Sequence, residues 1–332
     1  MSSTVAYTVP RSFLLRRLHS LTGLMLTVYL VEHILTNSQA ALWLGGDGLG
    51  FIQFVNFLHS LPYLPVLEWL LIGIPLLIHG GLGIQVALQA RFNSFKGDGR
   101  APSLPQYGRN RAYTWQRLTA WILLVGILAH VVHMRFLRLP EELRNGIRVN
   151  YLTRLEVDPG LYTVADRLQV ALFSPEQIEQ ERQLLVRQEQ SVAVTGAVQA
   201  LAPLPPLDRS AIASRVEEQH LVAFQEFVEK LSQVNLGPHE VVGVSDSFGT
   251  AMLLVVRDCM KSLWICGLYS ILVLTAAFHG YNGLWTFLIT WGCVLKASAQ
   301  RMAAHFCMGL FGLFTVLGLA AVWGTYWLNL YR

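Results

Sequence analysis

Apolar residues crowd into five runs along the chain, roughly 20–44, 66–90, 116–137, 262–290 and 302–329, separated by stretches where charge and proline return. A hydrocarbon core about 30 Å thick takes about 20 apolar residues of helix, so each run is long enough to span it. Backbone in lipid must bond to itself, and the runs are therefore predicted to be helices. The expected fold is an all-α polytopic membrane protein, with helices I–III in residues 1–138, an insert in 139–261 and helices IV–V in 262–332.

The insert has a different pattern. "SPEQIEQERQLLVRQEQ" opens with Ser174 at the N-cap, Pro175 at the first helical position and Gln177 three residues after the cap, which marks a helix start. "APLPPLD" breaks the chain, and Ile212, Val216, Phe224, Phe227, Leu231 and Val234 then recur at helical spacing. The expectation is a large helical insert whose two helices form a hairpin on the membrane face. "AMLLVV" at 251–256 is too short to span and is followed by Arg257, Asp258 and Lys261, which places it at the interface.

Basic residues set the orientation. Arg11, Arg16 and Arg17 precede the first run; Arg91, Lys96, Arg100, Arg109 and Arg111 lie between the second and third, with Arg117 at the very start of the third; Lys296 and Arg301 lie between the last two. Residues 45–65 contain neither Lys nor Arg. Short cytoplasmic loops retain positive charge, so the N-terminus is expected inside, and the insert and C-terminus outside. A small-residue site occurs at Ser38-Gln39-Ala40, but Glu32 and His33 interrupt the long first run, which does not read as a cleaved signal.

At 332 residues, 53% hydrophobic and 14% charged, the chain is too apolar for a soluble domain, and its net charge of +4 follows from the topology without nucleic acid. Cys259, Cys266, Cys293 and Cys307 have no CxxC spacing and read as small apolar fillers.

Six of ten histidines lie within the apolar runs, and four of them, His33, His79, His130 and His279, fall one on each of the first four; His133 follows His130 by three and His305 lies in the fifth. An ionisable group in lipid is costly and marks a candidate site. His33 lies four residues before Asn37 and His130 five before Arg135, about 6 to 8 Å inward at 1.5 Å per residue. His79 follows Glu68 by 11 residues and His279 follows Lys261 by 18, so both are deeper. Depth sorts the four into an outer pair and an inner pair, with a seven-residue mismatch in the inner one that a tilted helix or a Lys261 held outside the bilayer would absorb. Two histidines at one depth on facing helices can supply both axial bonds of a haem iron. Gly83, Gly283 and Gly126, each four residues from a histidine, leave room beside it or simply let helices approach. Arg16, Arg17 and Arg301 are placed for the propionates of an inner haem and Arg135 for an outer one; each serves equally as a topology anchor.

"FLLRRLHSLTGLMLTVYLVEHILTN", "IPLLIHGGLG", "LAHVVHMR" and "FHGYNGLWTFLITWG…SAQR" resemble, in order, the di-haem cytochrome b subunit of succinate:quinone oxidoreductases of the five-helix type. The resemblance implies His79 and His279 as ligands of a proximal haem b, and His33 and His130 as ligands of a distal one. It also implies a bacterial cytoplasmic membrane, a flavoprotein (FAD) and an iron–sulfur subunit on the cytoplasmic face, and menaquinone reacting near the distal haem. The chain itself has no nucleotide fingerprint and no cysteine cluster for an iron–sulfur centre. His19 matches the family's "RRLHS", where it contacts a propionate or quinone or serves as an interfacial anchor.

Quinone reduction takes up two protons, and Glu68 and Glu32 are the acids within the spans. Glu68 has the better position but also reads as a helix-start acid. His133 shares the face of His130 and either bonds a propionate or, as preferred, lies at the surface; His59 is assigned to a solvated loop and His305 to a structural hydrogen bond, and His220 and His239 carry no ligand spacing. The alternatives are a di-haem anchor for a hydrogenase or formate dehydrogenase, a proton-relaying transporter, or an anchor without haem. The insert is expected to cover the distal haem.

Overall fold

The computed structural model describes residues 9–41, 48–90, 94, 103–145, 148–200 and 210–331, without the side chains of 145, 148, 192–200, 210–218 and 328–331. Arg91, Lys96, Arg100 and the "APLPPLD" break lie outside the described residues, as do the side chains of Ile212 and Val216.

Five helices are long and apolar enough to cross a membrane: Arg11–Ala41, Leu64–Gln89, Gly108–Leu137, Leu263–Thr290 and Ala297–Trp327. They are built from α1 (Arg11–Ser38), α3 (Leu64–Glu68) continued by α4 (Ile74–Gln89), α5 (Gly108–Val131), α10 (Leu263–Thr290) and α11 (Ala297–Tyr331). A short apolar helix, α2 (Leu49–His59), lies between the first two spans. The protein is an all-α polytopic membrane protein. Leu77, Val125, Leu128, Leu268 and Val316 are exposed on the spans, as side chains facing lipid are.

Helix α1 packs on α4, α10 and α11, and α10 packs on α1, α5 and α11. With the lighter contact between α4 and α5, this closes a ring of four helices in the order α1, α4, α5, α10, with α11 outside against α1 and α10. Ile34, Tyr281, Cys307 and Phe314 form the apolar seam under α11. The second span is joined by a π-helical turn, Trp69–Gly73, in which the Ile74 N–H bonds the Trp69 carbonyl. Pro75 explains the turn: its ring would clash with the carbonyl four residues back, and an extra residue in the turn relieves the clash.

The insert contains helices, but it is built around a sheet that the helical expectation omitted. Strands β1 (Glu141–Asn145), β2 (Arg148–Glu156), β3 (Ala171–Phe173) and β4 (Glu240–Ser245) pair antiparallel in the order β1-β2-β4-β3. The expected cap does form at α7 (Pro175–Ala200): Gln177 N–H donates to Ser174 Oγ at 3.3 Å and Ser174 N–H to Gln177 Oε1 at 2.8 Å. Helix α8 (Ser210–Gln233) packs beside α7, and its Phe227 and Leu231, with Val234 just beyond its end, join Leu143, Leu152 and Val242. The hairpin therefore roots on one face of the sheet, where strand side chains offer the apolar surface that the membrane face was expected to supply.

The stretch "AMLLVV" also differs from its interfacial placement. It forms the middle of α9 (Phe248–Cys259), with Ala251, Leu253, Leu254, Val255 and Val256 all buried. Leu254 packs with Leu155, Leu161, Val170 and Val241, including the short helix α6 (Leu161–Arg167). Leu253 and Val256 pack with Phe51 and Ile52 of α2. At the crossing, Asn56 Oδ1 accepts from the Gly249 N–H at 2.7 Å, and a β-carbon on Gly249 would strike the Ile52 carbonyl. His59, expected in a solvated loop, stacks on Phe248 at 4.0 Å and lies 3.2 Å from Tyr151 Oη. The loop between the first two spans is thus part of the insert's core.

An ion network closes the base of the insert. Arg257 grips Asp158 through two hydrogen bonds of 2.7 Å, Lys261 reaches Asp158 at 2.7 Å and Asp258 at 2.8 Å, and Arg138 binds Asp258. These residues bring together the chain leaving α5 and the chain entering α10. Burial pushes the Asp158 carboxyl up, but hydrogen bonds and charge from Arg257 and Lys261 outweigh it and hold the group well below the usual carboxylate range. The stabilisation is complete above the unfolded carboxylate value of 3.8 and disappears as pH falls through the lower folded value. Asp158→Asn is expected to lower the stability of the insert by about 2 to 3 kcal/mol at neutral pH, because two cations lose their partner. Limited proteolysis in detergent across pH 7 to pH 3 should show wild type loosening only at the acid end and the variant already loose at neutrality.

Candidate site in the bundle core

Two pairs of imidazoles bridge the diagonals of the four-helix ring. His33 of α1 and His130 of α5 have ring centres 5.8 Å apart, and His79 of α4 and His279 of α10 have theirs 6.2 Å apart, both edge-on. These are the pairs into which depth sorts them. The mismatch in the second pair has a physical source, since Lys261 is bound into the base of the insert and also donates to the Glu156 carbonyl. The count from Lys261 to His279 therefore begins outside the bundle.

Each of the four rings has a partner at Nδ1. His79 Nδ1 donates to the His19 carbonyl at 3.0 Å, and a carbonyl only accepts, so the proton of neutral His79 sits on Nδ1. His279 Nδ1 lies 3.2 Å from Thr119 Oγ1, whose own proton goes to the Trp115 carbonyl at 2.8 Å. The hydroxyl therefore accepts, and His279 is fixed in the same tautomer. His33 Nδ1 lies 3.3 Å from Tyr29 Oη and His130 Nδ1 3.0 Å from Tyr269 Oη. Among the described residues, no hydrogen-bond partner faces any of the four Nε2 atoms.

This is the arrangement of histidines that hold a metal: one nitrogen is anchored by an outer partner and the other is left bare. Metal–nitrogen bonds of about 2 Å on both sides of one ion set ring centres about 6 Å apart, and both pairs have that spacing. Among the described residues no group of three or more His, Cys, Asp or Glu is placed to hold an ion. Two imidazoles alone suit an iron whose other four bonds come from a macrocycle.

The polar residues around the pairs were only partly legible in the chain. Tyr29 precedes His33 by four and shares its helical face, a signal open to sequence reading. Thr119, Tyr269 and Gln116 reach their histidines from other helices. Gln116 Nε2 donates to the His279 carbonyl at 3.0 Å and Gln116 Oε1 accepts from Asn282 at 2.7 Å, tying α5 to α10. Gly83 faces His19 Nε2, Gly283 faces Gln116 and Gly126 faces Leu272. The glycine that touches a ring of the pairs is Gly23, where a β-carbon would lie 2.7 Å from His79 Cε1.

The remaining candidates are spread to the two ends. His19 stacks on His79 with ring centres 4.2 Å apart. Arg17 donates to the Thr290 carbonyl at the end of α10 and lies over Phe13 and Trp291. Arg16 and Arg301 are exposed at the same end, away from the insert. Arg135 and Glu68, assigned separately in the sequence, bind each other at 3.0 Å. Glu32 accepts from Thr36 Oγ1 at 3.0 Å. His133 is half-buried and lies 3.5 Å from Tyr269 Oη. His305 is exposed and has no hydrogen bond among the described residues, in place of the structural bond expected for it. His220 and His239 are exposed in the insert.

Across 94% of its length the chain is similar to the succinate dehydrogenase cytochrome b558 subunit of Bacillus subtilis (strain 168), at 22% identity over 313 residues and 96% of that protein. No family model and no solved structure matches the chain.

Gly23→Ala is expected to destabilise the bundle by about 1 to 3 kcal/mol, the usual cost of overpacking, because the His79 ring has to move. Thermal unfolding of the detergent-solubilised protein measures it. An unchanged midpoint would mean that the ring is not confined there.

Proposed function

We propose that this chain is the membrane-anchor cytochrome b subunit of a succinate:quinone oxidoreductase, passing electrons between an iron–sulfur subunit and quinone and holding two haems b. The observation that carries the reading is the pair of diagonal histidine bridges with bare Nε2 atoms and occupied Nδ1 atoms. Likeness along nearly the full length to a cytochrome b558 subunit supports it.

His79 and His279 would hold one haem and His33 and His130 the other. Haem supplies reversible one-electron chemistry when bound there. The chain's own part is to fix the four rings in the tautomer that leaves Nε2 able to bind, and to keep water away through the apolar shell of the bundle. His19, with its ring against His79, and Arg16, Arg17 and Arg301 at that end of the bundle are the groups proposed for the propionates of the inner haem. Exposed Arg11, Arg16, Arg109, Arg111, Lys296 and Arg301 give that end a basic face for the iron–sulfur and flavoprotein subunits, on the cytoplasmic side of the bacterial membrane.

At the insert end we place the quinone, of menaquinone type, with Glu68 and Glu32 as its proton carriers. Arg135 holds the Glu68 carboxylate at 3.0 Å and so fixes its position at that end of the bundle. Arg135 is shared between that role and the propionates of the outer haem.

Reduced-minus-oxidised spectra with haem stoichiometry test the reading. Wild type is expected to hold two haems per chain, with His79→Ala and His130→Ala each losing a different one; fewer than two in wild type would overturn it. Glu68→Gln is expected to keep both haems and slow quinone reduction about 100-fold or more, in the range of a lost acid–base group. An unchanged rate would remove Glu68 from the proton path. Identification of the soluble subunits that co-purify separates this enzyme from a hydrogenase or formate dehydrogenase.

A further inference from the structure

A line of hydrogen-bonding groups runs from His130 to the base of the insert. His130 Nδ1 lies 3.0 Å from Tyr269 Oη, Tyr269 Oη lies 3.5 Å from His133 Nδ1, and His133 Nε2 lies 3.9 Å from the sulfur of Cys259. Cys259 ends α9 and is buried, and its neighbour Asp258 binds Arg138 and Lys261. The contributing segments are the end of α5, the π-helical turn Val132–Leu137 that follows it, the first third of α10 and the last residue of α9.

The direction of the hydrogen bonds can be worked out if Nε2 of His130 carries a lone pair toward iron. Its only ring proton is then on Nδ1 and donates to the Tyr269 oxygen. The tyrosine proton is free to donate to His133 Nδ1, and the proton on His133 Nε2 points to the Cys259 sulfur, a weak acceptor. Tyr269 and His133 each accept once and donate once, and the Cys259 sulfur ends the chain as an acceptor. A chain of this kind polarises along its length, and it makes the first imidazole a stronger electron donor.

We propose that Tyr269 is a positioning residue that fixes the ring and tautomer of His130, and that His133 and Cys259 extend this control to the base of the insert. The proposal rests on the reading of His33 and His130 as iron ligands. It gives the insert a part in the redox site: its last helix ends in the sulfur that terminates the chain, and the Asp258 network holds that end in place. By contrast, the His79–His279 pair is anchored by a backbone carbonyl and a threonine of the spans, without a link to the insert.

The test uses the assembled complex in membranes or detergent, with two readouts besides activity: optical redox titration and low-temperature electron paramagnetic resonance of the low-spin iron. Tyr269→Phe is expected to keep both haems and to raise the midpoint potential of the centre that His130→Ala removes. That centre's resonance should also move, while the other centre keeps its values. His133→Leu should move the same centre in the same direction by a smaller amount. The proposal is overturned if Tyr269→Phe leaves that centre's potential and resonance as in wild type, or if the shift falls on the centre removed by His79→Ala. Should Tyr269→Phe fail to assemble, His133→Leu decides by the same criteria. A wild-type complex without two haems would instead remove the reading on which the proposal stands.

Discussion

An imidazole in the core of a membrane has two nitrogens to satisfy and no water to do it with, and this protein resolves the problem the same way four times. One nitrogen of each ring finds a tyrosine, a threonine or a backbone carbonyl, and among the described residues the other has no hydrogen-bond partner. Much of the helix arrangement serves that constraint. The pairs span diagonals, so four helices must surround a common axis at a fixed separation, and α11 is left to cover one side.

The hydroxyls and the carbonyl matter as much as the histidines. A threonine that spends its proton on its own helix can only accept from a ring, and a carbonyl can never donate. The protonation pattern of the His79–His279 pair is therefore written into the fold. Close approach matters too, because a residue larger than glycine at position 23 would occupy the space of the His79 ring.

The insert is more than an appendage to the bundle. Its sheet, its buried helix α9 and the apolar helix α2 form a unit with its own core, joined to the spans by a compact set of charges. Asp258 is 7% exposed and each of its neighbours in the network below one fifth, so these charges hold each other in place of water. The same network fixes where α10 starts, and through it the level at which His279 meets His79.

The pattern of the chain by itself determined the five spans, the helix start at Ser174 and the placing of His33, His79, His130 and His279 on four different spans, because these depend on local hydrophobicity, capping and spacing. The sheet of the insert escaped it: its strands are 3 to 9 residues long, and their alternation is short against the stronger helical periodicity of α7 and α8. The inward direction of α9 escaped it as well, since a short apolar segment beside charges looks the same at a lipid interface and in a protein core. Only the tertiary structure decided that Thr119, Tyr269, Gln116 and Gly23 belong with the histidines, that Glu68 and Arg135 find each other, and that Lys261 lies outside the bundle. Those are contacts between residues far apart in the chain, and no local energy term along a single helix records which neighbour will be packed against it.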